Sequence, residues 1–249
     1  MLNLILSLLL LVNVASAQEL TAARAYDDYI FTLQRYEDAH QDYVVAKNAY
    51  LQNKTLNLQN QAQEKTALML GARDEVVKAH LTAIRAVLVE ERGLSTEEKA
   101  PFLSGIDEEV AWWAADHSAE EAASRYETNT EYIIYRSLFW ISVSKTRYVL
   151  GSERNLLVDL RNKVSEIAAT GDKNTQAIEK WFNDIEDRFN QSEEAEKLAI
   201  DSIADLEKRY GNRQSIYNKA VSLEKEAFLP LVEAKDFFKE IIRVIKTKD

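Results

Sequence analysis

Apolar side chains recur every three or four positions along almost the whole chain, the spacing of one face of an α-helix. The pattern predicts a first helix from about Leu20 to about Asn53. Within it Tyr29, Tyr36, Tyr43 and Tyr50 return every seven residues, with Thr32, Ala39 and Ala46 three positions further on. Bulky rings alternating with small residues form a packing seam suited to an antiparallel neighbour. A turn at Asn53-Lys54-Thr55 leads to a second helix reaching Glu91 or Arg92, with Leu58, Ala62, Met69, Ala72, Val76, Ala79, Ala83 and Val87 on one face. Gly93 is placed to end it in a left-handed cap.

From Leu94 to Asp107 the pattern weakens, with Pro101 and Gly105 inside the stretch. Ser95 with Glu98, and Ser118 with Glu121, have the spacing of capping boxes, predicting a short helix, a modest one around Glu108 to His117, and another start at Ser118. A break is expected at Thr128-Asn129-Thr130, then a long helix to Thr170 ended by Gly171. Two more follow. One spans about Lys173 to Tyr210 with Ile178, Phe182, Ile185, Phe189, Ala199, Ile203 and Leu206 in register and Gly211 as its stop. The last spans about Arg213 to Lys246, with Ile216, Ala220, Leu223, Ala227, Ala234, Ile241 and Ile245 in register and Pro230 expected to kink it. Helices of this length must bury one stripe against each other. The expected fold is all-α: an elongated, coiled-coil-like antiparallel bundle of four to five long helices with short inserted ones.

The amino-terminal residues 1–17 break this pattern. They carry no charge, run apolar from Leu2 to Val14 and end in Ala15-Ser16-Ala17, the outline of a cleaved secretory signal peptide. The stretch is shorter than the roughly 20 apolar residues that span a bilayer. Residues 18–249 then read as one helical domain with a less regular insert at about 93–130. The chain has no cysteine, so an exported product relies on packing without disulfides, which points to a bacterial envelope or extracellular protein. A net charge of −10, well mixed along the sequence, disfavours nucleic acid as a partner. Two prolines and six glycines in 249 residues fit long helices better than sheets.

Reactive motifs are sparse. Glu37 and His40 form the half-motif of a carboxylate-bridged di-metal bundle, but neither His80 nor His117 has a Glu three residues before it, so no metal site, cofactor or catalytic residue is expected. The richest segment is Asp107 to Glu121. On a helix Glu109, Trp113 and His117 stack on one side and Glu108, Trp112 and Asp116 on the next. Acids with indoles can hold a sugar or a cationic group; the favoured reading is that the acids complement the helix dipole while the indoles plug a bundle end. Glu109, Trp112, Trp113 and His117, with Arg136 from the apolar stretch Tyr132 to Val143, are the ligand- or partner-binding candidates. Arg136 requires a carboxylate or a route to solvent. The functional expectation is a non-catalytic exported scaffold or interaction module that associates with a protein partner or with itself. A small-ligand-binding or sensory bundle is the alternative, an envelope chaperone comes third, and an enzyme is disfavoured.

Overall fold

In the computed structural model, which describes residues 21–170 and 176–247, every regular element is helical. The leader at residues 1–17 and the expected stop at Gly171 lie outside the described residues. The chain divides into two compact units at Val87 and Leu88.

The first unit is a helical hairpin of α1 (Ala22–Gln52) and most of α2 (Leu56–Glu90). The Thr21 hydroxyl caps α1 by accepting from the Arg24 amide. The turn falls at Asn53 to Thr55, as the pattern predicts, and the Thr55 hydroxyl accepts from the Leu58 amide to start α2. The helices run antiparallel: Lys65 pairs with Asp42 at 2.7 Å, and Tyr29 stacks on His80 with ring centroids 4.7 Å apart. Small residues close the seam near its end, where Ala25 clusters with Ala83 and Ala86. The four seam tyrosines are half-buried, and His40 sits between the Tyr36 and Tyr43 rings.

The second unit is built on α5 (Glu131–Thr170), α6 (Gln176–Ile203) and α7 (Arg213–Lys246). Antiparallel alignment of α5 and α6 is marked by the pairs Arg147–Glu196, Arg154–Glu193 and Arg161–Glu186, each at 2.8 Å. The parallel run of α5 and α7 is marked by the Tyr135–Tyr217 stack at 4.8 Å. Buried positions recur at spacings of three and four, with one step of seven on α5: 139, 143, 146, 150, 153, 157 and 164 on α5; 178, 182, 185, 189, 192, 196, 199 and 203 on α6; 220, 224, 227, 231, 234, 238 and 241 on α7. Their apolar members form two separate clusters. One contains Phe139, Val143, Ala199, Ile203 and Ala220. The other contains Leu150, Leu157, Phe182, Phe189, Leu231 and Phe238.

Several predicted boundaries are corrected. The stretch from Ser95 onward holds a single helix, α3 (Thr96–Trp113), which runs through Pro101 instead of dividing there. Both capping boxes are formed, at Ser95/Glu98 and at Ser118/Glu121, the latter opening α4 (Ala119–Arg125). At the expected break the chain stays helical but widens into a π turn, Tyr126–Thr130, before α5. The sixth helix stops at Ile203, short of Tyr210, because 3-10 turns at Ala204–Leu206 and Tyr210–Asn212 present the Leu206 carbonyl to the Arg213 side chain. Gly93 is not left-handed. Glycine fits there because a Cβ would lie 1.8 Å from the Ser144 carbonyl oxygen on α5.

Candidate functional site

The segment richest in candidate chemistry is held by the π turn. Helix α3 buries Glu109 and, one turn later, Trp113. The wider turn of a π segment, an irregularity common at functional positions, brings Asn129 and Thr130 onto the same carboxylate. Glu109 accepts hydrogen bonds from Arg125, from Asn129 and from the Thr130 hydroxyl, the last at 2.7 Å. The Trp113 indole N–H donates in turn to the Thr130 hydroxyl at 2.9 Å. Both carboxylate oxygens are engaged, and Glu109 is fully buried. Such a group anchors three side chains and is closed off from any ligand by its burial.

Trp112 points the other way and is half-buried. His117 stacks on it in parallel at 3.7 Å, fixed by its Nε2 donating to the Trp112 carbonyl at 2.8 Å. The Arg125 guanidinium lies over the same indole at 5.5 Å, and Trp113 meets it edge-on at 5.1 Å. The slot in which a flat or cationic guest would stack is therefore occupied by the chain's own imidazole and guanidinium.

Arg136 does not join this group. Its guanidinium lies 4.7 Å from the Phe102 ring and 5.7 Å from the Tyr132 ring, so aromatic faces take the place of the expected carboxylate. No carboxylate among the described residues forms an ion pair with it.

Two features lie outside the sequence pattern. The first is Arg213 at the start of α7, 1 % exposed. It donates to the carbonyls of Glu127, Thr128 (2.8 Å) and Leu206 (3.1 Å), and its charge meets Glu131 at 3.8 Å. A cation at a helix amino terminus opposes the dipole; that mismatch is the signal the sequence offers.

The second is a polar belt, with Ser192 and Glu224, between the two apolar clusters, and a third buried polar residue, Glu153, set inside the cluster that holds Leu150 and Leu157. Glu153, Ser192 and Glu224 are buried at 7 %, 1 % and 1 % exposure, and none of their side-chain oxygens has a hydrogen-bond partner among the described residues. Burial pushes the Glu153 carboxyl up to about 7, with Lys235 opposing the rise. Burial likewise lifts Glu224 to about 7, opposed by the nearby Thr146 hydroxyl and by Arg147 and reinforced by Glu196. Arg147 is shared between Glu98 of α3 and Glu196 of α6, at 2.8 Å to each.

Among the described residues no group of three or more His, Asp or Glu side chains is placed to hold a metal ion, and no helix is long and apolar enough to cross a membrane. Compared with known proteins, the chain matches no family, no curated protein and no solved structure.

Proposed function

We propose that the chain is an exported, non-catalytic helical scaffold or protein-interaction module of the bacterial cell envelope or extracellular space. The observation that carries this reading is the state of α1. Over its 31 residues only Ala25 is buried, while the seam tyrosines stay half-exposed and Phe31, Val45 and Leu51 are exposed at 60 %, 70 % and 56 %. A helix so rich in apolar side chains and so little covered offers contact area to a second protein or to another copy. The closed hydrogen bonding around Glu109 supports a structural role for that corner.

Size exclusion with light scattering on residues 18–249, together with affinity capture from envelope extract, tests the reading. Self-association or a retained envelope protein is expected. A monomer that captures nothing overturns it.

A second reading, a ligand-binding bundle, draws on the half-exposed Trp112–His117 stack. A flat sugar or cationic ligand displacing His117 would change tryptophan fluorescence and raise the melting temperature. Unchanged melting across sugars, amino acids and cell-wall fragments removes it.

A further inference from the structure

Along α5, Arg147, Arg154 and Arg161 stand seven residues apart, which puts them on one stripe facing α6. Each pairs with an α6 carboxylate: Glu196, Glu193 and Glu186 in turn. Each also lies over an aromatic ring, 5.5 Å from Trp140, 5.9 Å from Phe189 and 5.3 Å from Phe182. Only the first rung has a second carboxylate. Arg147 donates through Nε to Glu196 and through Nη1 to Glu98, which lies in the first turn of α3. No second acid among the described residues pairs with Arg154 or Arg161. A guanidinium carries five N–H donors and can serve two acids, as Arg147 does. Between the two open rungs runs a groove of about 500 Å³, with buried Leu157 and Phe189 and exposed Val158 among its lining.

An apolar groove flanked by cations fits a helix that carries an acid between apolar side chains. Helix α1 has such a stripe. Phe31, Asp38 and Val45 each follow a seam tyrosine by two residues, about 200° round the helix, and so lie on the face away from α2. Phe31 and Val45 are exposed; Asp38 between them is exposed too and pairs with no cation among the described residues. We propose that α1 of one copy docks in the α5–α6 groove of a second copy. Its Asp38 then gives Arg154 and Arg161 the acid that Glu98 gives Arg147 within the chain, while Phe31 and Val45 cover the apolar lining. The seven-residue step of the stripe matches that of the arginines, so the two helices run together at a shallow angle. This inference rests on the scaffold reading and names the chain itself as the partner.

Because the two contacting surfaces differ, the contact can be broken from either side and then restored by mixing. The α1 variant is Phe31→Ser with Asp38→Asn, and the groove variant is Arg154→Gln with Arg161→Gln. Size exclusion with light scattering on residues 18–249 should give the parent a mass of two copies or more. Each variant alone should run as a monomer at the same concentration. An equal mixture should recover a dimer and nothing larger, since one intact α1 then meets one intact groove. Should the groove variant fail to fold, Val158→Glu takes its place, filling the groove with a like charge while leaving both arginine pairs intact. Oligomers that survive both variants overturn the proposal, as does a mixture that stays monomeric. A monomeric parent that retains an envelope protein rejects this contact and leaves the scaffold reading standing; a monomeric parent that retains nothing rejects both.

Discussion

Arg213 reaches back across 85 residues of chain to donate to the Thr128 carbonyl at 2.8 Å. This bond, with those to Glu127 and Leu206, ties the start of α7 to the π turn that precedes α5. Replacing Arg213 by Met strands three carbonyls in a buried place. The expected loss is about 3 kcal/mol of unfolding free energy in urea, with Arg213→Lys recovering part of it. A variant as stable as the parent would mean that the turn holds its shape without the guanidinium.

Glu109 gives a test with two graded substitutions. Glu109→Ala leaves Arg125, Asn129 and Thr130 without their common acceptor and should cost about 3–5 kcal/mol. Glu109→Gln keeps one acceptor oxygen and should cost less. Fully stable, soluble variants of both kinds would restore Glu109 as a binding candidate.

Two glycines should respond in opposite directions. Gly93→Ala forces a Cβ against the Ser144 carbonyl and the Tyr148 amide, backbone atoms that cannot swing aside. A cost of about 1–3 kcal/mol is expected, seen as a fall in melting temperature. Gly151 lies exposed inside α5, and a methyl added there would meet no atom within 4 Å. Gly151→Ala should therefore stabilise by about 1 kcal/mol. Equal effects at the two sites would contradict the close approach at Gly93.

The hairpin carries its own titration. Burial against α1 lowers the His80 pKa from its ordinary value, so the neutral ring is the form the fold accepts. Stability from this group is present above the unfolded value of 6.5 and is lost as pH falls through the lowered folded one. Acid titration followed through the NMR signals of the Tyr29 ring should show the stack loosening, and His80→Gln should remove that step. A step that survives the substitution would place the titrating group elsewhere.

The long helices are legible in the sequence because periodicity over thirty residues leaves few alternatives. The turn at Asn53 to Thr55 and both capping boxes are local signals that tertiary contacts do not override. What the sequence hides depends on contacts distant along the chain. The π turn is held by Glu109 and by Arg213, and neither contact is encoded near Thr128. Gly93 looks like a cap in one dimension and is a contact point in three. The belt, by contrast, leaves a trace. The apolar register of α6 skips from Phe189 to Ala199, and the positions in between that keep the spacing are Ser192 and Glu196. Of the binding candidates, Glu109, Trp112, Trp113 and His117 do gather in one corner, while Arg136 belongs to a different contact because Phe102 arrives from α3 to cover it.

Three helices with uninterrupted greasy seams could slide along one another by a heptad at little cost. The buried polar residues act as index marks against this. Moving α7 by seven residues would carry Glu224 to the place Leu231 fills, inside the cluster of Phe182, Phe189 and Phe238. The groups that leave the bundle under-bonded at its middle are therefore the ones that give it a single alignment, much as a notch sets one ruler against another.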